Sequence, residues 1–186
     1  MKAHHLCPWW LAYTFDNPLR RFIHRPEVMF SGLVQKGMTV MDIGCGMGYF
    51  SIALAGIVGP QGLVIAVDLQ RQMLDVLRKR ADRAGVGDRI RLHQCEASSL
   101  GVETRVDFAL AFWVVHETPD AHALFGQIAS LLKPGGKLLI AEPKLHVTAE
   151  DFQEILTAAG KAGLRVESRP PVALSRAALF SAGMSG

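Results

Sequence analysis

The chain carries Asp42-Ile43-Gly44-Cys45-Gly46-Met47-Gly48 between a short apolar run, Thr39–Ile43, and an amphipathic stretch over Gly48–Ala55. Glycines at this spacing allow a sharp turn and let a ligand approach the backbone closely. A helix that begins directly after such a turn points its N–H groups at a polar or anionic part of that ligand. The stretch therefore predicts a strand, a ligand-binding loop and a helix in succession.

The spacing of these glycines discriminates between ligands. A dinucleotide fingerprint needs a glycine at the sixth position, which here is Tyr49. A P-loop needs a closing Gly-Lys-Ser/Thr, which the stretch lacks. The observed pattern is Gly-x-Gly-x-Gly, with Asp42 two positions before the first glycine. This pattern disfavours both a nicotinamide-dependent dehydrogenase and a P-loop enzyme.

Outward from the loop, short apolar runs alternate with amphipathic stretches. Further strands are predicted at Leu63–Asp68, Ile90–Gln94, Val106–Val114 and Lys137–Glu142, and helices at Gln70–Ala84, Ala121–Leu132 and from Thr148 onward. Continuously apolar runs are typical of parallel strands covered on both faces. Two last strands, Leu164–Ser168 and Val172–Phe180, follow one another closely, so we expect them to be antiparallel. The predicted fold class is α/β, a doubly wound and mostly parallel sheet with helices on both faces.

Two more acidic residues stand where ligands bind in such sheets. Asp68 closes the second strand, where a carboxylate can accept hydrogen bonds from ribose hydroxyls. Glu96 comes just past the third strand, where it could face an adenine amino group. A doubly wound sheet brings the carboxyl ends of its strands to one crevice. The loop and both acids together therefore predict a nucleoside-containing ligand.

Taken together, these stretches resemble class I S-adenosylmethionine-dependent methyltransferases. The resemblance covers roughly residues 37–180. Within the family, the chain is most similar to the type-11, ubiquinone/menaquinone-like branch that acts on small molecules. Val40–Phe50 is similar to the family's first motif, and Val64–Asp68 to its second strand with the ribose-binding acid. Cys95–Ala97 is similar to the family's Gly-Asp-Ala element. Leu131–Leu138 resembles its turn before strand five, and Ser175–Phe180 its closing strand.

The resemblance implies a Rossmann-like sheet of seven strands whose seventh strand is antiparallel. It implies S-adenosylmethionine as the cofactor and S-adenosylhomocysteine as the product. No second Cys/His pair matches the spacing of His4 and Cys7, so we expect no metal site. The residues expected to contact the cofactor are Asp42, Gly44, Cys45, Gly46, Gly48, Asp68, Leu69, Glu96, Ala97 and Phe112.

Candidate catalytic residues follow the fourth and fifth strands. His116 and Glu117 come after the fourth strand, and Glu142 ends the fifth, with His146 four residues later. All should lie at the carboxyl edge of the sheet, where the crevice is. We expect His116, Glu117 and Glu142 to serve catalysis and His146 to contact the substrate, and a purely structural role for each remains the alternative.

Residues 1–36 precede the alternation, which makes 37–186 the methyltransferase domain. Trp9, Trp10 and Tyr13 begin this segment, and a helix around Leu19–Val34 with a kink at Pro26 follows. An apolar arm at this position predicts a lid over the substrate, with cover of a sheet face or a dimer contact as the alternative.

Composition bounds the remaining functions. Twenty basic against 17 acidic residues among 186, with a net charge of +3, do not indicate nucleic acid binding. The longest apolar stretches are far shorter than the roughly 20 residues that span a bilayer, so we expect no membrane span. Three scattered cysteines fit a reducing compartment, so we expect a cytoplasmic protein. We expect a small-molecule acceptor and leave a homodimer open. An RNA or protein methyltransferase, a nicotinamide-dependent oxidoreductase and a non-catalytic binding module remain alternatives.

Overall fold

The structure, a computed structural model, describes residues 23–183, and the aromatic arm with Trp9, Trp10 and Tyr13 lies outside them. Within this range the strands form one seven-stranded sheet in the order β3-β2-β1-β4-β5-β7-β6. They are β1 (Thr39–Ile43), β2 (Leu63–Asp68), β3 (Ile90–Gln94), β4 (Val106–Phe112), β5 (Leu132–Pro143), β6 (Leu164–Ser168) and β7 (Ser175–Ala182).

The direction of the strands matches the sequence prediction. Neighbouring strands from β3 through β5 pair in parallel, whereas β7 pairs antiparallel with both β5 and β6. The predicted α/β class and the antiparallel last strand are therefore confirmed. The carboxyl ends of β1, β2, β4 and β5 meet at one edge of the sheet, and the amino end of β7 joins them there.

Helices cover both faces of this sheet. They are α1 (Pro26–Met29), α2 (Tyr49–Val58), α3 (Arg71–Arg83), α4 (Ala121–Leu131) and α5 (Ala149–Lys161). The predicted capping start of α5 is present, because Thr148 and Asp151 hydrogen-bond each other's backbone N–H groups. Asp120 caps α4 by accepting a hydrogen bond from the Ala123 N–H.

Alternate residues of each central strand pack against opposite layers. Val40 of β1 packs with Leu54 of α2 and Leu77 of α3, whereas its neighbour Met41 packs with Phe125 of α4 on the other face. Burial on both faces explains why these strands are continuously apolar. Among residues 23–183, no helix has both the length and the apolar character that crossing a bilayer requires.

Several boundaries differ from the sequence prediction. β5 begins at Leu132 rather than Lys137, because a bulge carries the strand through the expected turn; its pairing shifts between Val106 and Phe108 of β4. α2 continues to Val58, where Gly59 with φ +68° ends it.

The two terminal predictions also change. β7 begins at Ser175 rather than Val172, after a turn in which Leu174 has φ +59°. In the described part of the helix predicted over residues 19–34, Pro26 starts a new four-residue helix instead of kinking a continuous one. Proline suits a first helical position because its missing N–H has no partner there.

Candidate active site

The glycine loop after β1 holds its three glycines for two different reasons. Gly44, Gly46 and Gly48 all have positive φ, at +67°, +52° and +85°. A Cβ on Gly44 would lie 2.6 Å from Val114 Cγ2, and one on Gly48 would overlap Leu77 Cδ1. A Cβ on Gly46 would meet no heavy atom within 4 Å. Packing therefore requires the outer two glycines, whereas Gly46 borders open space that a ligand can occupy.

The loop is fixed to β2 through hydrogen bonds at its backbone. The N–H groups of Gly44 and Cys45 both donate to the Val67 carbonyl oxygen, at 2.9 and 3.0 Å. Asp42, predicted to bind the cofactor, is buried and accepts a hydrogen bond from Ser51 Oγ at 2.5 Å. In this structure Asp42 therefore ties β1 to the first turn of α2.

Asp68 joins the two loops that follow β1 and β2. Its Oδ2 accepts a hydrogen bond from the Gly46 N–H at 2.8 Å, and its Oδ1 accepts one from the Gln70 N–H at 2.9 Å. Burial raises the pKa of Asp68, and the backbone N–H donors of Gln70, Gly46 and Leu69 offset part of that rise. A carboxylate has about four acceptor positions, so Asp68 keeps capacity for a ligand hydroxyl.

The remaining predicted cofactor residues on this side surround Asp68. Cys45 is buried, and burial, with the charges of Asp42 and Asp68, raises the pKa of its thiol well above the usual value. Leu69 is half-buried, and its carbonyl oxygen accepts a hydrogen bond from Gln94 Nε2.

Beyond β3, the turn that carries Glu96 is anchored to the same carboxyl edge. The N–H of Cys95 donates to the Asp68 carbonyl oxygen at 3.1 Å, and Glu96 and Ser99 exchange backbone hydrogen bonds. Both Glu96 and Ala97 are exposed at this edge of the sheet. The first three strands thus bring Gly46, Asp68 and Glu96 to one edge, as the sequence predicted.

Farther along the same edge, the loop after β4 and the end of β5 form a histidine–carboxylate pair. Glu142 is fully buried at the end of β5. It accepts hydrogen bonds from the backbone N–H groups of Val115 and His116, at 3.0 and 3.2 Å. His116 Nδ1 lies 2.5 Å from Glu142 Oε2. A carboxylate that accepts from Nδ1–H at this distance favours the neutral tautomer whose Nε2 is the acceptor nitrogen, and Nε2 can take up a proton whenever the ring is neutral.

The surroundings of His116 favour its protonated form. Burial lowers the pKa of His116, but the hydrogen bond to Glu142 and the charges of Glu142 and Glu117 outweigh it, so the pKa is raised. His146 presents its ring edge-on, 5.8 Å from the His116 ring centroid, and is itself exposed. The structure thus brings together His116, Glu142 and His146, with Glu117 next to them in the chain.

Phe112, predicted to border the cofactor, packs in an aromatic cluster on the α2 face of the sheet. Its ring centroid lies 5.0 Å from His24, 4.6 Å from Phe50 and 5.2 Å from Trp113. The next residue, Trp113, has a backbone φ of +59°. Tryptophan gives no local signal for a left-handed conformation, so only the structure reveals it.

The side chains present fit S-adenosylmethionine, the cofactor that the resemblance implies. Open space beside Gly46 can take the ligand, and the partly occupied carboxylate of Asp68 can accept ribose hydroxyls. Within residues 23–183, no group of three or more His, Cys, Asp or Glu side chains could hold a metal ion.

Comparison with known proteins adds independent findings. A family model described as "Methyltransferase domain" matches residues 34–166. The chain is 34% identical over 110 residues to a demethylmenaquinone methyltransferase of Lactobacillus johnsonii, covering 59% of this chain and 45% of that protein. It is 32% identical over 134 residues to a ubiquinone biosynthesis O-methyltransferase of Xanthomonas axonopodis pv. citri, covering 72% and 55%. The chain thus spans about half the length of these relatives.

Solved structures share the fold over most of the chain. A SAM-dependent methyltransferase from Aquifex aeolicus superposes with a TM-score of 0.84 at 22% identity, covering 95% of this chain and 98% of that one. A SAM-dependent O-methyltransferase from Thermotoga maritima gives a TM-score of 0.71 at 19% identity, covering 87% and 65%. At these identities the likeness concerns the fold.

Proposed function

The chain belongs to the methyltransferase domain family, and we propose that it transfers the methyl group of S-adenosylmethionine to a small-molecule acceptor. Membership confirms the family and the enzyme class that the sequence predicted, and it supports S-adenosylmethionine as the cofactor. The identity of the acceptor and the roles of individual residues are part of the proposal.

One observation supports this proposal: the proposed cofactor cradle and the proposed proton acceptor share the carboxyl edge, and the loop that carries the acceptor packs against the cradle. Gly46 and Asp68 border the cradle. Val114 lies against Gly44 of the cradle and is followed, two residues later, by His116. A crevice closed by these loops can therefore hold a methyl donor next to a base.

Each residue has a distinct part in the proposed reaction. S-adenosylmethionine would supply an electrophilic methyl group, whose bond to sulfur would break as the acceptor attacks, with S-adenosylhomocysteine as the leaving group; the protein's task is to orient the reactants and to accept a proton. Asp68 accepts the ribose hydroxyls, and the Gly44–Gly48 backbone shapes the cradle. His116 Nε2 takes the proton that the acceptor loses as its electron pair attacks the methyl carbon. Glu142 keeps the His116 ring oriented and stabilises the imidazolium that forms.

We propose an acceptor of the quinone type, with an ionisable hydroxyl group. The names of the two relatives refer to demethylmenaquinone and to ubiquinone biosynthesis, and a partly exposed histidine held by a buried carboxylate suits an acceptor that must lose a proton. No feature of the described residues favours an RNA or protein acceptor, and Tyr49 in the loop disfavours a nicotinamide cofactor. Action in the cytoplasm, independence of nucleic acid and a homodimeric state remain further proposals.

The cofactor assignment is tested by a pair of glycine variants. Gly46 and Gly85 both have positive φ, and a Cβ on either would meet no protein atom within 4 Å. Both alanine variants should therefore lose a similar, small amount of stability, on the order of 1 kcal/mol. In calorimetric titration with S-adenosylhomocysteine, the wild type and Gly85→Ala should bind, and Gly46→Ala should lose affinity by roughly a hundredfold or more, because its methyl occupies the ligand's place.

Two outcomes would contradict the assignment. One is a wild-type protein that gives no binding at saturating S-adenosylhomocysteine, and the other is equal affinity in both alanine variants. A screen of hydroquinones, catechols and other phenols with S-adenosylmethionine, read by mass spectrometry, then tests for methyl transfer. Binding without transfer to any hydroxylated acceptor would argue for the non-catalytic alternative.

A further inference from the structure

The first residues of β7 lie beside the proposed catalytic pair. Because β7 runs antiparallel, its amino end reaches the edge where the parallel strands have their carboxyl ends. The register pairs Ser175 with Pro143 and Arg176 with Glu142. These residues lie beyond residue 166, where the family match ends. Their position next to Glu142 makes the start of β7 a potential support for the loops that carry the histidines.

Ser175 makes a specific contact with one of these loops. Its side chain is buried, and its Oγ accepts a hydrogen bond from Trp113 Nε1 at 2.8 Å. The same Oγ donates to the Ala173 carbonyl oxygen at 3.1 Å. The donation fixes the hydroxyl proton away from the indole, so the oxygen faces Trp113 as an acceptor. Ser175 thereby connects β7 to the loop after β4, across the intervening strand β5.

Trp113 is held in a conformation that tryptophan rarely adopts. Its φ is +59°, and its backbone N–H donates to the Ala141 carbonyl oxygen at 2.7 Å. Such a backbone persists only where the surrounding structure holds it in place. Hydrogen bonds at both the backbone and the indole N–H, the latter to Ser175, supply that restraint.

The left-handed turn at Trp113 sets the direction of the residues that follow. Directly after it, Val114 packs against Gly44 of the cofactor loop. The N–H groups of Val115 and His116 then point at the Glu142 carboxylate, which also receives the His116 ring. A change at Trp113 would therefore reach His116 through three residues of backbone.

We propose that Ser175 is a positioning residue, whose hydrogen bond to the Trp113 indole fixes the turn that aims His116 into the crevice. Ser175 is not expected to touch substrate or cofactor, and it acts through Trp113 alone. This inference rests on the proposed function only in treating His116 as the base. The hydrogen-bonded connection itself is independent of which acceptor is methylated.

The test uses the Ser175→Ala variant, which removes the acceptor oxygen while keeping nearly the same volume. The His116 ring is titrated by NMR in protein saturated with S-adenosylhomocysteine, so no acceptor is needed. We expect the pKa of His116 to fall by roughly half a unit, a fraction of the 1–3 units that a close opposite charge contributes. Affinity for S-adenosylhomocysteine should stay within about twofold, because additive independence is expected for groups outside the cradle.

Matched variants make the result specific. Trp113→Phe removes the indole donor but keeps an aromatic ring, and it should reproduce the change in His116. The double variant should be no worse than either single one, because both remove the same hydrogen bond. Ser130→Ala, at an exposed hydroxyl in α4, should leave the His116 titration unchanged. If one variant does not fold, the other still gives the measurement.

The outcome separates this inference from the proposed function. An unchanged His116 pKa in both Ser175→Ala and Trp113→Phe would overturn the positioning role, whatever the activity. A shifted His116 pKa together with a loss of S-adenosylhomocysteine affinity well beyond twofold would also overturn it, because that pattern indicates a general loosening of the loops at this edge. Once an acceptor is known, kcat should fall about tenfold to a hundredfold, the scale of a small misplacement, with the cofactor KM unchanged.

Discussion

Two regions at the carboxyl edge of the sheet differ in what they present to a ligand. The backbone region, at the ends of β1 and β2, presents mainly backbone groups, whereas the side-chain region, at the ends of β4 and β5, presents side chains. The first region uses open space at Gly46 and the Asp68 carboxylate. The second region uses a buried carboxylate, Glu142, to orient His116. A common cofactor needs the first arrangement, and proton transfer from a particular acceptor needs the second. Mutations in the first region should therefore weaken cofactor binding, and mutations in the second should slow methyl transfer.

The largest difference between the effect on methyl transfer and the effect on cofactor binding is expected at His116. His116→Gln should lower kcat by roughly 10²–10⁴-fold, the usual contribution of a general base, and leave S-adenosylhomocysteine affinity unchanged. His146→Gln is the comparison variant: His146, predicted to contact the substrate, is exposed and has no buried carboxylate partner among residues 23–183, so its loss should act mainly on the acceptor KM. Methyl-transfer assays and calorimetry on both variants would show the difference. Equal losses of kcat, or a parallel loss of cofactor affinity in His116→Gln, would contradict the division.

The next effect concerns the ribose. Asp68→Ala should weaken S-adenosylhomocysteine binding by about 1.5–3 kcal/mol, the scale of a hydrogen bond to a charged group. Because Asp68 also accepts the Gly46 and Gln70 N–H groups, part of that loss could come from the loop itself. The 2′-deoxy ligand separates the two causes. The wild type should prefer the ribose form, and Asp68→Ala should lose that preference; a wild type without the preference would count against ribose binding.

The smallest expected effect is the pH dependence of stability. The pKa of His116 is raised in the folded protein, so the folded state binds this proton more tightly than the unfolded chain does. The resulting stabilisation is fully present below the unfolded value of about 6.5 and is lost as pH rises through the raised folded pKa. Thermal melts should show a larger Tm difference between wild type and His116→Gln in acid than in mild base, by a few degrees at most. A difference that grows with pH would have the wrong sign.

The sequence predicted the backbone region well because its signals are local. Gly44, Gly46 and Gly48 mark the turn through their spacing alone, and Asp68 stands at the end of a strand that is apolar throughout. Strand direction followed from the same runs, since burial on both faces is a property of parallel sheets. The predicted boundaries of some elements were wrong. For example, β5 begins at Leu132 because of a bulge that the local sequence does not indicate.

The side-chain region was only partly predictable because its contacts are distant in sequence. His116 and Glu142 were both candidates, yet only the parallel pairing of β4 and β5 reveals that they meet across 26 residues. Ser175 lies 62 residues from Trp113, and no local pattern announces their hydrogen bond. The Ser51 hydroxyl, which donates to Asp42 nine residues away, was likewise not predicted, and the ligand contact suggested for Asp42 stays a prediction.

We propose that one crevice holds the cofactor against Gly46 and Asp68 and directs its methyl-bearing sulfur toward His116. A crystal structure of the protein with S-adenosylhomocysteine measures this directly. We expect the ligand to lie against Gly46, its ribose hydroxyls to donate hydrogen bonds to Asp68, and its sulfur to face His116. A ligand bound elsewhere, or one whose ribose lies away from Asp68 with its sulfur turned from His116, would contradict it.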